Sequence, residues 1–208
     1  MKKILAVFLM LFFASSQSHA EFTEPMARVK DSVERVIIIL KDKSIDKESR
    51  WKKIGVIIDD SFDFRSMSQS ILATNWKKAT PEERKQFVDY FSQYLSETYR
   101  TKIESYTNQH VDYVSETIRG KRAVVETKII TDSISIPVNY KLKNNDGVWF
   151  AYDVVIEGVS LVSNYRSTFA AIVNNDGMDG LINNIQLRIN KHKAAESEQV
   201  DASDGGHY

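Results

Sequence analysis

The sequence predicts an α+β fold in which helices pack on one face of a four-stranded antiparallel sheet. Apolar residues recur at spacings of three and four from residue 25 to about residue 105, and the pattern changes to alternation between residues 111 and 157. The connections between the alternating segments are too short for crossover helices, so neighbouring strands must run antiparallel. Helices segregated from such a sheet along the chain are typical of the α+β class.

The N-terminus has the three parts of a secretory signal peptide. Lys2 and Lys3 are basic, residues 4–14 are apolar, and Ser18-His19-Ala20 places small residues around a cleavage position. An apolar run of this length is too short to span a bilayer, which takes about 20 residues. We therefore expect residues 1–20 to be removed on export.

The composition favours one globular domain and argues against a nucleic-acid partner. The 208 residues include 28 Lys and Arg, 28 Asp and Glu, and no cysteine. Binding to phosphate backbones requires clustered basic residues, and none are clustered here. Without cysteine there is neither a disulfide framework nor a site for lipid attachment. We expect a single domain over residues 21–193 and a disordered tail over residues 194–208, where apolar periodicity is lost.

Three short-range signals mark the first helices. Thr23 followed by Pro25 predicts the start of helix one. Ser44 is the predicted N-cap of helix two, and Asp63 is the predicted N-cap of a short third helix ending near Ala73.

A long helix is predicted over about residues 81–105. Thr80 precedes Pro81 and lies three residues before Glu83, which is the capping-box pattern. One face of this helix is aromatic and apolar, and such a face ordinarily packs in the core. The apolar faces of this helix, of the first two helices and of the sheet together provide more apolar surface than the core of one domain of this size needs. This excess favours a cavity. Its members are Phe87, Tyr90, Phe91, Tyr94, Leu95, Thr98, Tyr99, Ile103 and Tyr106.

Four strands are predicted over residues 111–118, 122–131, 133–142 and 148–157, with a tight break near Asp132 and a hairpin loop at residues 144–147. The residues expected on the inner face are Ala123, Val125, Thr127 and Ile129 in the second strand, and Ile134, Ile136, Val138, Tyr140 and Leu142 in the third. In the fourth strand, we expect Phe150, Tyr152, Val154 and Ile156 to face inward and Trp149, Asp153 and Glu157 to face outward. Two further helices, residues 163–174 and 178–191, are separated by a break at residues 174–177.

One segment is specific enough to indicate a family. Residues 148–169 read VWFAYDVVIEGVSLVSNYRSTF, which resembles the signature of the MlaC-like family, the periplasmic phospholipid carriers also called toluene-tolerance proteins. The matching residues are Trp149, Tyr152, Asp153, Val154, Ile156, Glu157, Gly158, Val159, Ser160, Leu161, Val162, Asn164, Tyr165, Arg166 and Phe169. A second stretch also agrees, through Phe62-Asp63-Phe64, Met67, Leu72, Trp76 and Thr80-Pro81-Glu82.

The resemblance implies a cystatin/NTF2-like cone with a lipid cavity. It further implies a soluble periplasmic carrier, without a cofactor or catalytic activity, that shuttles one diacyl phospholipid per chain and maintains outer-membrane lipid asymmetry. The implied partners are an outer-membrane lipoprotein–porin complex and an inner-membrane ABC transporter complex with its substrate-binding subunit.

Thirteen residues are expected to contact the lipid. Tyr165 and Arg166 are placed near the mouth, where the guanidinium meets a phosphate or, alternatively, forms a structural ion pair. The others are expected to line the acyl pocket: Tyr99, Ile103, Val125, Ile129, Ile136, Val138, Val154, Ile156, Val159, Leu161 and Phe169.

Two alternatives remain open at this stage. An isomerase-type enzyme on the same scaffold would use Asp153 as its base, with Tyr99 or Tyr140 as oxyanion donor. The strand alternation instead favours a structural Asp153 that faces outward and pairs with an arginine or caps a neighbouring backbone. A periplasmic chaperone that binds polypeptide in the same groove is the second alternative. The histidines outside residues 1–20 lack metal-ligand spacing, so no metal site is predicted.

Overall fold

The computed structural model describes residues 24–106, 109–131 and 133–204, with side chains described up to residue 195. The predicted signal peptide and Asp132 lie outside these ranges. The helices that precede the sheet are α1 (Pro25–Lys41), α2 (Lys47–Ser61), α3 (Phe64–Leu72), α4 (Thr74–Lys78) and α5 (Pro81–Glu104). The strands and the last helix are β1 (His110–Arg119), β2 (Arg122–Ile130), β3 (Ser135–Asn145), β4 (Val148–Ile156), β5 (Val159–Ser160) and α6 (Leu161–Asp204).

The sheet is antiparallel throughout, in the order β1-β2-β3-β4-β5. The predicted α+β class is confirmed, and the structure adds a short fifth strand. Glu157 and Gly158 both have positive φ, 50° and 84°, and form a two-residue hairpin turn that returns the chain against β4. At the other end of β4, the backbone of Phe62 pairs with Ala151. These two additions cover the edge of β4 that would otherwise be open to pairing with another chain.

The helices lie against one face of the sheet, as predicted. On β2, Ala123, Val125 and Thr127 are buried while the alternate residues Arg122 and Glu126 are exposed. This alternation continues on β3, where Val138 and Leu142 are buried. The inward orientation predicted for Ile134 is wrong, because this residue precedes β3 and its side chain is 58% exposed.

A β-bulge in β4 changes which side chains face the helices. The register shifts between Lys141 and Leu142 of β3, which pair with Asp153 and Ala151 of β4, so Tyr152 is the extra residue. Since the bulge inverts the alternation, Trp149 lies in the core at 4% exposure, contrary to the outward orientation predicted for it.

The same bulge settles the remaining orientations in β4. Phe150 and Tyr152, which were predicted to face inward, lie on the opposite side of the strand from Trp149 and Val154. Beyond the bulge, the predicted inward positions of Val154 and Ile156 are confirmed by their pairing with Tyr140 and Val138.

The helix starts agree only in part with the local signals. The capping box of Thr80 and Glu83 is present as predicted. The N-cap of α2 is Asp46, whose carboxylate accepts the Ser49 N–H, and not Ser44, which instead donates to Asp42. Helix α4, which contains the buried Trp76, was not predicted.

The start of α1 is completed by the sheet. The helix begins at Pro25, and Glu24 at its N-cap position provides no side-chain cap. The carboxylate of Glu116 on β1 accepts the Met26 N–H at 2.9 Å instead. An acidic group at this place also interacts favourably with the positive end of the helix dipole.

Helix α6 is bent where the sequence predicted a break. Gly177 has φ 70° and ψ −171°, a conformation that interrupts the helix and is open mainly to glycine. The helix continues to Asp204, whereas the sequence predicted no regular structure from residue 194 onward. The segment begins with Ala194-Ala195-Glu196, which are strong helix formers that can extend a helix beyond its packed face.

Candidate functional site: an apolar lining between three cores

The buried residues form three separate clusters, although most domains of this size have one contiguous core. The largest joins α3, α5 and α6 to Val138 and Val154 of the sheet. A second joins Val29 of α1 to the opposite end of the inner sheet face, and a third joins Leu40 of α1 to Trp51 and Ile54 of α2. Within the described part of the chain, half-buried side chains separate these clusters.

We use the name inner lining for nine half-buried residues that border these clusters, two of which pack against two clusters each. Tyr140 packs against both the first and the second cluster, and Ile58 packs against both the first and the third. Along β2 and β3 the inner face becomes less covered towards one end, so that Ile129 and Ile136 are half-buried where Ala123 and Leu142 are buried. The members are Ile58, Tyr99, Ile103, Tyr106, Tyr113, Ile129, Ile136, Tyr140 and Ile156.

Tyrosines supply the polar atoms of the inner lining. Burial raises the pKa of Tyr140 to about 12. Burial also raises the pKa of Tyr113 well above its usual range, with smaller contributions from Glu34, Tyr140 and Tyr106. Burial raises the pKa of Tyr99 as well. These phenols are therefore neutral at physiological pH, and each presents a hydroxyl to an otherwise apolar surface.

Asp153 lies outside the inner lining, on the opposite side of β4 from Val154. Its carboxylate accepts hydrogen bonds from Lys141 Nζ at 2.8 Å, Ser160 Oγ at 2.7 Å and the Val162 N–H at 3.1 Å. The outward orientation predicted for Asp153 is confirmed, and so is its capping of a backbone N–H. Its cationic partner is Lys141 and not the predicted arginine. The geometry does not favour a catalytic base, because Asp153 does not share a face with Tyr140 of the inner lining.

The thirteen residues predicted to contact lipid fall into three groups. Five belong to the inner lining, namely Tyr99, Ile103, Ile129, Ile136 and Ile156. Six are enclosed in the cores, namely Val125, Val138, Val154, Leu161, Tyr165 and Phe169. Val159 and Arg166 lie on the exposed surface. Contact with lipid remains a prediction for all thirteen.

Of the two residues predicted near the mouth, Tyr165 is enclosed by packing and Arg166 is exposed. Tyr165 and Phe169 of α6 pack against Phe91 of α5, with ring centroids 5.4 Å and 6.3 Å from that of Phe91. Arg166 donates from Nε to the Ser70 carbonyl at 2.7 Å, which holds α6 against α3. Val159 sits at the hairpin turn and is 57% exposed. This packing favours a mouth among the half-buried residues of the inner lining.

Two surface concavities lie away from the inner lining. A groove of about 360 Å³ between α1 and α2 is lined by Arg35, Ile38, Ile39, Lys53, Val56 and Ile57. A smaller one of about 260 Å³ lies over the start of α5 and is lined mainly by charged residues. Neither includes any of the thirteen predicted residues. The described residues contain no group of His, Asp and Glu side chains able to hold a metal ion.

Sequence reasoning did not include four residues of the inner lining among the lipid contacts, and it missed a buried cation. The four are Ile58, Tyr106, Tyr113 and Tyr140. Tyr113 alternates with Val111 along β1, so the period-two pattern could have placed it on the inner face. Arg100 is buried over the Trp51 ring, 5.3 Å from its centroid, and pairs with Glu48 at 2.7 Å. Glu48 is 52 residues away in sequence, and no local pattern links the two.

Comparison with known proteins decides the family. The sequence profile described as MlaC protein matches residues 30–187, most of the chain. The chain belongs to the MlaC family. The toluene tolerance protein Ttg2D of Pseudomonas putida is 28% identical over 132 residues, which cover 62% of this chain and 61% of that protein. The intermembrane phospholipid transport system binding protein MlaC of Haemophilus influenzae is 26% identical over 122 residues, which cover 56% of this chain and 57% of that protein.

A solved structure of the same fold supports the architecture. The phospholipid-binding protein from Ralstonia solanacearum, in complex with a phospholipid, matches with a TM-score of 0.74 and 24% identity, over 81% of this chain and 98% of that one. At this identity the match establishes the fold. The alignments with the curated MlaC-family relatives span about three fifths of their length, 61% and 57%. Among the described residues, no helix has the length and apolarity needed to cross a membrane.

Proposed function

We propose that this protein is a periplasmic phospholipid carrier that holds the acyl chains of one diacyl lipid against the inner lining. The proposal rests on one observation. The buried residues form three separate cores, and half-buried isoleucines and tyrosines border them. Protein interiors normally pack without voids. A set of apolar side chains left half-buried between packed clusters is therefore suited to an apolar ligand that completes the core.

The names of two relatives agree with this ligand. The Haemophilus influenzae protein is named as the binding protein of an intermembrane phospholipid transport system, and the Ralstonia solanacearum protein was solved with a phospholipid bound. The aliphatic residues Ile103, Ile129, Ile136 and Ile156 provide a surface suited to acyl chains, and the tyrosines provide polar atoms at its border.

The energetics of lipid transfer explain why a carrier needs such an enclosed lining. About 30 methylene groups of a diacyl phospholipid, at about 0.8 kcal/mol each, cost on the order of 24 kcal/mol to expose to water. Spontaneous transfer through water is therefore negligibly slow. A carrier must shield both chains during transit, and it requires membrane-bound partners for loading and unloading.

We propose that these partners are an outer-membrane lipoprotein–porin complex and an inner-membrane ABC transporter complex with its substrate-binding subunit. The cleaved signal peptide predicted over residues 1–20 would deliver the carrier to the compartment between them. In this role the protein moves the lipid unchanged and maintains the lipid asymmetry of the outer membrane.

The deciding experiment is native mass spectrometry of protein purified from the periplasm without detergent. We expect a mass increase corresponding to one diacyl phospholipid per chain, and we expect extraction with organic solvent to yield the same lipid. Protein that carries no lipid, and that takes up none from phosphatidylglycerol vesicles, would contradict the proposal. Recovery of a chemically altered lipid would instead favour an enzyme.

A further inference from the structure

Three tyrosines from three different elements come together in the inner lining. Tyr106 follows the end of α5, Tyr113 lies on β1 and Tyr140 lies on β3. Tyr113 pairs with Thr127 and Tyr140 pairs with Val125, which are successive inward positions of β2, and both tyrosines pack against the second cluster. The Tyr106 hydroxyl donates to the Gln109 carbonyl, so its hydrogen is already used.

The hydroxyls of Tyr113 and Tyr140 form no hydrogen bond with any other residue that the structure describes. Both side chains are half-buried on the inner face of the sheet. Neither hydroxyl is fully enclosed, so water can reach both in the protein without ligand. An apolar ligand that displaces this water must offer an acceptor in its place, since an unpaired buried hydroxyl costs about 1–3 kcal/mol. These two donors share one location, and one ligand can therefore satisfy both.

The surroundings limit the charge of that acceptor. The other polar side chains on the inner face of β1 and β2 are Glu116, which accepts the Met26 N–H, and Thr127, which donates to the Val138 carbonyl. Neither is cationic. A cation of α1, Lys30, lies with its ammonium 5.8 Å from the centroid of the Tyr113 ring, and Glu34 already opposes its charge. A buried phosphate would lack a counter-charge here, whereas a neutral carbonyl oxygen needs only a donor.

We propose that the Tyr113 and Tyr140 hydroxyls donate hydrogen bonds to the ester carbonyl oxygens of a glycerophospholipid. The inference rests on the proposed carrier function and specifies which part of the lipid the protein recognises. The ester carbonyls are the neutral acceptors at the junction between the acyl chains and the polar headgroup. Bound by the two phenols, they place the chains along the isoleucines of the inner lining and leave the phosphate in solvent.

Two properties of the ligand follow from this arrangement. The carrier distinguishes ester-linked from ether-linked lipids, since an ether lacks the carbonyl oxygen. It discriminates weakly among headgroups, because the phosphate and its substituent lie outside the contacts that the inner face offers. High phenol pKa values keep both donors protonated across the physiological pH range.

The test is a competition between diester phosphatidylglycerol and its diether analogue of equal chain length, offered at equal concentration to delipidated full-length protein. Native mass spectrometry gives the ratio of the two complexes. We expect the wild-type protein to prefer the diester about ten-fold, which corresponds to two neutral hydrogen bonds of modest net strength. The double variant Tyr113→Phe/Tyr140→Phe is expected to bind both lipids equally.

The matched control is Tyr152→Phe, which removes a hydroxyl on the outer face, 3.5 Å from Arg122. This variant is expected to keep the wild-type preference. The double variant should fold, since the hydroxyls that it loses have no partner in the described protein, and its melting temperature should equal or exceed that of wild type.

The outcomes separate the two proposals. Equal binding of both lipids by wild type, or a preference that survives in the double variant, overturns the ester inference and leaves the carrier function standing. Binding of neither lipid by wild type overturns both.

Discussion

The Asp153 carboxylate of β4 accepts a hydrogen bond from the backbone N–H of Val162 at 3.1 Å, so the sheet caps the first turn of α6. The N–H groups of a first helical turn have no partners within the helix, and the carboxylate also complements the positive end of the helix dipole. Lys141 and Ser160 bind the same carboxylate. One side chain therefore joins β3, β4, β5 and α6.

Asp153→Asn is expected to lower the free energy of unfolding by about 1–3 kcal/mol, because it removes the ion pair with Lys141 and weakens the charge-assisted hydrogen bonds. Bound lipid should be unaffected, since Asp153 faces away from the inner lining. The measurement is urea denaturation together with native mass spectrometry on the same preparation. Asp89→Asn is the control, because Asp89 forms a 2.9 Å pair with Lys85 on the surface and should change stability by less than about 0.5 kcal/mol. Unchanged stability with loss of lipid in Asp153→Asn would contradict the structural role.

Asp63 makes stability sensitive to acid. Burial by itself raises the pKa of Asp63, but hydrogen bonds from Lys143 and Ser66 outweigh it and hold the pKa below its ordinary value of 3.8. A carboxyl with a depressed folded-state pKa contributes stability above its unfolded pKa and loses that contribution as pH falls through the folded pKa.

Asp63→Asn should therefore be less stable than wild type at neutral pH, and the difference should shrink as the pH falls below 3.8. Lys143→Met removes the main cation, so in that variant the contribution of Asp63 should fade at higher pH. Denaturant titrations between neutral pH and pH 3 check both statements. A constant difference between Asp63→Asn and wild type over the whole range would refute the assignment.

Substituting alanine for Gly177 and for Gly55 tests whether the backbone conformation at Gly177 requires glycine. A Cβ atom added at either glycine meets no atom within 4 Å, but only Gly177 has a positive φ, 70°. Gly177→Ala should therefore destabilise by about 1–3 kcal/mol or straighten α6. Gly55→Ala in the interior of α2 should stabilise by about 0.5–1 kcal/mol. Thermal denaturation of the two variants should move in opposite directions, and a shift in the same direction would show that the bend at Gly177 is not required.

Ile136 and Ile134 test the position of the acyl chains. Ile136 is half-buried in the inner lining, whereas Ile134 is 58% exposed. Ile136→Asp places a charge against the proposed lipid and should abolish retention, at a stability cost of about 1–3 kcal/mol. Ile134→Asp should retain lipid at the wild-type ratio. Native mass spectrometry reads the lipid content and circular dichroism checks the fold. Full retention by a folded Ile136→Asp variant would exclude this face of the sheet.

Val159 and Leu161, two residues apart, allow the effect of a charge at an exposed position to be compared with its effect at a buried one. Val159 is 57% exposed and Leu161 is 7% exposed. Val159→Asp should change stability by less than about 0.5 kcal/mol, whereas Leu161→Asp should cost more than about 3 kcal/mol, since it buries a charge in the largest core. Urea denaturation distinguishes the two. Lipid loss from a stable Val159→Asp variant would show that the exposed turn contacts the ligand.

Much of the fold was predictable because its signals are local. The capping box at Thr80 depends on residues within one helical turn, and the inward face of β2 follows from strict alternation. The orientation of Trp149 was not predictable in this way. A single bulged residue inverts the alternation of β4, and the bulge is defined by pairing with β3 rather than by any residue type.

The candidate site was predictable in its chemistry but only partly in its position. Five of the thirteen predicted residues lie in the inner lining, because apolar character on an inward face is a local property. The aromatic residues Tyr165 and Phe169 have the same character, yet they fill a core. Which inward residues are enclosed and which stay half-buried depends on the elements packed against them, and these are distant in sequence.

By itself the sequence determined the α+β class, the bounds of the long helix and most strands, and the MlaC family, because periodicity, capping and a fifteen-residue signature are encoded by neighbouring residues. Only the tertiary structure decided that Asp153 anchors α6, that Tyr165 packs on Phe91 while Arg166 binds the Ser70 carbonyl, and that half-buried apolar residues border three cores. These features arise from contacts between distant segments. Their geometry is set by how whole helices and strands pack, and no local pattern of residues specifies it.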